Sequence, residues 1–546
     1  MAIGNRMATP TLRANQSAAH SRTSACLSLW LCVGTVCVGA VLRFTWLTRE
    51  SLWLDEIFSV WMARQPFREM WRMMSFENHP PLYYLVLHAW LSLFGNSDFA
   101  ARALSACCGV LTIMVVGYTG WRLRGPAVGA LIMVFAAVLP PLVRYGQEAR
   151  MYALVALFCS IALAGALFWL QRPERSSGWT YTIAMTLAVY THYYAVFVWF
   201  GLLLGGAIAI SKSTDCKTGS TVRRWLIWNL VPLGGLLLWV PILMAQWRAN
   251  STTHWLLGFP APDISRLWDV VAWCFGWFDE KDGFGPGWSR LQDGRLTAFL
   301  LVASAVVMAG LVIALRHEND SKASHQVDPQ MLLQDKSAAV CLLSCTLTPL
   351  LLAWSISQFK MIWQFKYLLA TVPSLLGLAI AGLLRLRYSP AALFLVGMLL
   401  LGSSICATIA GIGRMGPFNE EEWREAAGLL QKEWRSGDQV VVQEPQTLPP
   451  YTICLTHYGF PESHLTGIRG DLSRPDDKRT MKCVMQGAPR VWLVTHYAGG
   501  RSEEVLQQSP EFILTSMHNF RTVEISLYER RHVAGQENNL RGAFGR

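Results

Sequence analysis

GWTYTIAMTLAVYTHYYAVFVWFGLLLGGAIAI, residues 178–210, is an uncharged run of about 33 residues. A helix rises 1.5 Å per residue, so a hydrocarbon core of about 30 Å needs roughly 20 residues. The run is too long for one ordinary span, and Thr191-His192-Tyr193-Tyr194 interrupts its middle. It reads as two short membrane helices. Charge gives the same answer. Arg172 and Arg175 precede the run, and Lys212, Lys217, Arg223 and Arg224 follow it. Short basic loops lie on the cytoplasmic side. Both ends of the run are therefore inside, and the chain crosses an even number of times between them.

Further candidate spans lie at about 26–47, 99–121, 126–143, 151–170, 225–245, 297–315, 337–359, 364–384 and 389–412, which makes about eleven with the split run. The remaining inner loops carry Arg122/Arg124, Arg316/Lys322/Lys336 and Arg385/Arg387. The first apolar run follows Arg6, Arg13 and Arg22; it is too long for a signal-peptide core, and no small-residue cleavage site follows. It reads as a retained helix after a cytoplasmic segment, residues 1–25. The membrane domain is then 26–413, with a first outer loop at 48–98. Within that loop, residues 80–94 are apolar but too short to span, and are expected to lie near the outer interface.

The chain is 52% hydrophobic and only 15% charged; soluble chains carry about 25% charged residues. The net charge of +11 sits largely in the short loops, which indicates membrane orientation rather than nucleic-acid binding. The 13 cysteines are scattered, with no C-x-x-C spacing, and most read as small buried hydrophobes. Cys454 and Cys483 lie in the polar C-terminal region, where a disulfide and two separate thiols are both open.

From residue 414 the composition changes. A helix-like Glu420–Trp434 precedes Ser436-Gly437-Asp438, and Gln439–Val442, Val491–Val494 and Val523–Tyr528 read as strands. The expectation is a small extracytoplasmic α/β domain over 414–546, with a frayed tail after about Arg531.

The reactive groups gather in the outer segments. Asp55-Glu56 follows the first span. Two adjacent carboxylates at a membrane surface are solvated, paired or used; one could serve as a general base. His79, in Asn78-His79-Pro80-Pro81, could face a phosphate oxygen or cap the interfacial helix. Arg144-Tyr145-Gly146-Gln147-Glu148-Ala149-Arg150-Met151-Tyr152 places two arginines and a glutamate at one membrane depth. That pattern suits phosphate binding, and also interfacial anchoring. His192 is a ligand-facing group or a satisfied core histidine. Lys366 could neutralise a lipid phosphate or snorkel. Arg102 reads as structural.

In this order, Asp55-Glu56, His79-Pro80-Pro81-Leu82, Arg102 and the 144–152 segment resemble the C-type membrane glycosyltransferases, in particular the protein O-mannosyltransferases, aminoarabinose transferases and related bacterial enzymes. Gln364-Phe365-Lys366-Tyr367-Leu368-Leu369 is similar to a proline-arginine-tyrosine-leucine-leucine segment of that family, with lysine in place of arginine and no preceding proline. Trp423–Ala427 followed by Gly437-Asp438 resembles the start of the outer domain in bacterial members.

The resemblance implies an inverting transferase with a dolichyl- or undecaprenyl-phosphate sugar as donor. Its acceptor would be a protein, lipid or glycan. It implies Asp55 as base with Glu56 orienting the acceptor or Asp55, and His79, Arg144, Arg150 and Lys366 as phosphate-binding candidates. Tyr145, Glu148, Tyr152 and His192 would support them. It implies no cofactor and no required metal, and a multi-pass plasma (inner) membrane protein with its site outside. The rival from another class is a transporter or flippase for lipid-linked sugars, or a protein that only binds them. A transporter would show repeats and midplane polar groups, whereas here the polar groups gather on one side.

Overall fold

In a computed structural model of the chain, the described residues are 30–212, 218–249, 260–279, 283–284, 294–323, 329–384, 389–411, 421–445, 450–469, 472, 474–496 and 501–531. The expectations for the N-terminal segment, Lys217, Arg385/Arg387 and the tail fall outside them.

In chain order the helices are α1 Trp30–Phe44, α2 Leu54–Arg64, α3 Phe67–Met73, α4 Leu82–Phe94, α5 Asp98–Arg124, α6 Pro126–Val138, α7 Pro140–Arg144 and α8 Tyr152–Gln171. There follow α9 Arg175–Thr191, α10 Ala195–Ser211, α11 Thr218–Ala249, α12 Arg266–Cys274, α13 Gly294–Ala323, α14 Pro329–Ser357, a 3-10 helix Phe365–Thr371, α15 Val372–Leu383 and α16 Pro390–Gly411. Each expected apolar run is mainly helical over its described residues. Among the described residues, seven helices are long and apolar enough to cross a bilayer, and α1, α4, α6 and α10 are shorter apolar helices.

The chain forms two compact units. The first is Met1–Leu47 with Phe67–Gly413; the second is Thr48–Pro66 with Arg414–Arg546.

In the first unit, the run at 178–210 breaks where the sequence places the break. His192 is extended (φ −156, ψ 136) between α9 and α10. The run at 126–143 differs from expectation: it is two helices, because Pro140 and Pro141 remove the N–H groups that would continue α6. Bilayer helices associate by close packing and hydrogen bonds rather than by hydrophobic transfer. Accordingly α10 lies so near α14 that a Cβ on Gly201 would stand 2.7 Å from the Ser344 carbonyl oxygen. Asn229 on α11 accepts hydrogen bonds from the Tyr181 hydroxyl (2.5 Å) and Trp199 Nε1 (2.8 Å), tying three helices.

The second unit contains a five-stranded sheet. Its strands are β3 Gln439–Glu444, β4 Leu465–Arg469, β5 Arg490–His496, β6 Phe512–Phe520 and β7 Val523–Arg530, in the order β4-β3-β5-β7-β6. (β1 Phe278–Asp279 and β2 Gly283–Phe284 form a two-residue pair in the first unit.) β3 runs parallel to β4 and β5, while β7 is antiparallel to both β5 and β6. β3 and β5 carry uninterrupted apolar runs, Val440–Val442 and Val491–Val494, because both faces are covered. Helices α2, α17 Trp423–Glu433, α18 Thr452–His457, α19 Pro475–Gly487 and α20 Arg501–Gln508 belong to the same unit. Asp438 is structural: it takes two bonds from Arg490, at 2.7 and 3.0 Å, and one from Trp492 Nε1 at 2.9 Å. Cys454 is buried, Cys483 is exposed, and both are free thiols.

Candidate active site

In the first unit, four separate stretches bring polar and aromatic side chains together. The His79 ring lies 5.1 Å from that of His192, and Tyr367 packs on both, at 6.2 and 5.0 Å. Tyr152 is 6.0 Å from His192 and 6.2 Å from Tyr367. Tyr145 continues the row, 5.3 Å from Tyr152. Cations flank these rings. Arg150 stands 6.0 Å from the Tyr152 centroid, Lys366 5.7 Å from that of Tyr367, and Arg144 5.4 Å from that of Tyr145. Glu148 is buried and lies 3.9 Å from Arg144.

Both imidazoles are neutral at ordinary pH. Burial, and then the positive charge of Arg150 and Lys366, lowers His192 to about 3. His79 is pushed down by burial and by His192, Arg150 and Lys366. His192 Nδ1 accepts a hydrogen bond from the Tyr194 backbone N–H at 3.1 Å, which places its own hydrogen on Nε2. That Nε2, like His79 Nδ1, is buried and has no hydrogen-bond partner among the described residues. A buried donor left unmade costs about 1–3 kcal/mol.

The arginine-bearing segment is fixed by an exchange of caps with α1. Without Pro140 and Pro141 N–H groups, the carbonyls of Ala136 and Ala137 lose their helical donors. Arg43 supplies them: Nη2 donates to Ala136 O (3.0 Å) and Nη1 to Ala137 O (2.9 Å). Thr408 Oγ1 donates to the next carbonyl, Val138 O, at 2.7 Å. In return, Gln147 Nε2 donates to the carbonyls of Leu42 and Thr45 at the end of α1, both at 3.0 Å. Gly146 sits close against its neighbours: a Cβ there would meet Leu142 O at 3.0 Å, Val143 O at 3.2 Å and Arg43 Cγ at 3.3 Å, so a side chain would have to push them aside. Ser105 Oγ then bonds Arg150 O at 3.2 Å, and Arg102 Nη1 bonds Leu47 O at 2.6 Å.

In the second unit, Asp55 and Glu56 lie in the first turn of α2, and the structure separates them. Glu56 is fully buried, and its carboxylate accepts from the Trp53 backbone N–H at 3.3 Å. Asp55 remains partly exposed. The Leu54 N–H is taken by Glu421 Oε2 at 2.8 Å.

Of the sequence candidates in the first unit, His79, Tyr145, Glu148, Arg150, Tyr152, His192 and Lys366 join one cluster, with Arg144 at its edge. His79 does not cap α4, whose N-cap is Pro81. Tyr367 and Tyr194, whose rings are 5.3 Å apart, were not singled out by sequence, nor was Arg43. A lone charge inside an apolar run is the signal that points to Arg43. Among the described residues, no three His, Cys, Asp or Glu side chains form a metal-type group.

Residues 78–244, under a third of the chain, match the family model described as dolichyl-phosphate-mannose-protein mannosyltransferase. That interval holds the histidines and arginines of the cluster but not Asp55. No curated protein sequence matches the chain. Among solved structures, ArnT from Cupriavidus metallidurans bound to undecaprenyl phosphate is similar at 13% identity and TM-score 0.52, over 90% of this chain and 97% of that one. The archaeal oligosaccharyltransferase AglB from Archaeoglobus fulgidus aligns at 12% identity and TM-score 0.44, over 86% of this chain and 69% of that one. The Pmt1-Pmt2 protein O-mannosyltransferase complex of S. cerevisiae aligns at 19% and 0.32, over 41% and 34%. The chain is a multi-pass helical membrane protein with the C-type glycosyltransferase fold, resembling the protein O-mannosyltransferase and aminoarabinose transferase family.

Proposed function

We propose that this chain transfers a sugar from a polyprenyl-phosphate donor to an acceptor at the outer face of the plasma (inner) membrane, with inversion. The N-terminus is then cytoplasmic, and the C-terminal unit is extracytoplasmic. The observation that carries the reading is the buried cluster around His79 and His192. Two imidazole nitrogens there have no hydrogen-bond partner among the described residues, and Arg150 and Lys366 flank them. Neutral donors beside fixed cations suit a phosphate at the head of an apolar tail. The undecaprenyl phosphate bound in ArnT, which shares the fold, supports the same ligand class.

The step balances simply. The acceptor oxygen or nitrogen attacks the anomeric carbon opposite the phosphate and passes its proton to Asp55. The bond from that carbon to the phosphate oxygen breaks. The polyprenyl phosphate leaves with the electron pair, its charge met by Arg150, Lys366, Arg144 and the N–H groups of the histidines. Asp55 suits the base because it is the accessible member of its pair; Glu56, occupied with the Trp53 N–H, holds the turn. Tyr145, Tyr152 and Glu148 orient the cations.

Asp55→Asn keeps shape and removes the base, which is worth about 10²–10⁴ in rate. Transfer from a radiolabelled polyprenyl-phosphate sugar should fall by that factor, with donor binding retained and expression matched. Normal transfer would remove the assignment. A wild type that moves donor between leaflets without transferring sugar would favour the transporter.

A further inference from the structure

We propose that the C-terminal unit is a clamp that positions the base: Glu421, aided by Tyr458 and Arg424, fixes the first turn of α2, where Asp55 sits. The inference rests on the reading of Asp55 as base.

The first turn of a helix has backbone N–H groups with no partner inside the helix. A side-chain oxygen at the N-cap usually takes one of them. Here the N-cap is Trp53, which has none. Two carboxylates replace it, Glu56 at the Trp53 N–H and Glu421 at the Leu54 N–H, and the second comes from 367 residues along the chain. The segment leading into the turn is held in the same way. Arg424 donates to the carbonyls of Thr48 (3.3 Å) and Glu50 (3.4 Å). The Leu52 N–H donates to the Tyr458 hydroxyl at 2.6 Å, and the Ser51 hydroxyl donates to the Glu421 carbonyl.

Glu421 is itself held. It is 4% exposed, its Oε2 accepts from Trp423 Nε1 at 2.6 Å, and its Oε1 lies 3.4 Å from His496 Nε2. The Trp423 ring packs against those of Tyr451 and His496, at 5.9 and 5.4 Å. A carboxylate taken out of water is retained only where its oxygens are bonded. Here one oxygen joins the sheet domain to the peptide that precedes Asp55. Every contact lies within the second unit, so the clamp acts on the direction of one side chain and not on donor binding.

The test uses the full chain in membranes, with kcat and donor KM measured for transfer from a labelled polyprenyl-phosphate sugar. Glu421→Ala should lower kcat about tenfold or more, towards the 10²-fold that a misplacement of about 1 Å can cost. Glu421→Gln and Tyr458→Phe, which spare the fold, should lower it less. Donor KM should stay within about twofold throughout. In the Asp55→Asn background, over long incubations, Glu421→Ala should slow transfer no further, since the group it aims is gone. Two results overturn the clamp: wild-type kcat in all three variants, or a Glu421→Ala loss as large in Asp55→Asn as in the wild type. Wild-type transfer by Asp55→Asn would instead overturn the base assignment, and the clamp with it.

Discussion

The stretch that ends in Arg144 and the stretch that begins at Leu54 pose the same backbone problem with opposite sign. After α6, two prolines strand carbonyl oxygens, and a guanidinium answers them: Arg43, 93 and 94 residues away. Before α2, an N-cap without an oxygen strands N–H groups, and a carboxylate answers, Glu421, 367 residues away. Each sign matches the helix end, since carbonyl ends attract cations and amide ends attract anions. In both places a candidate site residue follows within a turn or so. Such residues are placed by distant groups that complete their backbone, and neither partner belongs to the local motif.

The largest expected effect in the first region comes from Arg43. Arg43→Met keeps an apolar stem and removes every donor. Two orphaned carbonyls at about 1–3 kcal/mol each should cost roughly 2–6 kcal/mol, less whatever relief comes from no longer burying a guanidinium. Thermal unfolding in detergent should show the loss, and donor affinity should fall with it as Arg144 and Arg150 shift. Arg43→Lys should sit between, because an ammonium has the charge without the planar fork. An unchanged melting temperature and affinity for Arg43→Met would break the parallel with Glu421.

The first region also titrates, through the imidazoles. His192 is held at about 3 when folded, against an ordinary value of 6.5. Between those values the unfolded chain binds a proton that the folded chain refuses, so stability falls as pH drops below 6.5 and is fully present above it. At pH 5 the loss from His192 is about 2 kcal/mol, and His79 adds in the same direction. Melting temperatures between pH 7.5 and 5 should decline, and His192→Gln should flatten the slope. A flat wild-type profile over that range would show that neither imidazole is excluded from protonation.

Much of this was legible in sequence, for physical reasons. The 33-residue run, the basic loops around it, the apolar runs of β3 and β5 and the alternation of β7 are strong one-dimensional signals. β4 and β6 were not legible, because they are the two edges of the sheet and carry mixed residues such as Leu465-Thr466-Gly467 and Thr515-Ser516. Asp55-Glu56 stood out as a pair, but nothing local says that one is buried on a backbone N–H and the other is not. Pro140-Pro141 carried the signal for a broken helix, and Arg43 the signal for its repair. The apolar periodicity around each masks it. Glu421 has no local signal, since its partner is fixed only once the chain has folded.

The smallest expected effect separates the two donors at the proline break. Thr408 gives a single neutral hydrogen bond to Val138 O, beside the two that Arg43 gives to Ala136 and Ala137. Thr408→Val keeps the shape and loses that bond, leaving one buried carbonyl short; the cost should be about 1–2 kcal/mol. Donor affinity and transfer should be unchanged, because the two carbonyls that the prolines strand, those of Ala136 and Ala137, remain held by Arg43. Combining Thr408→Val with Arg43→Met should cost less than the sum of the singles, since once the break has moved, Val138 O no longer faces Thr408. The melting temperatures of the two singles and the double decide it. A Thr408→Val loss as large as that of Arg43→Met would mean that α16, not α1, sets the break.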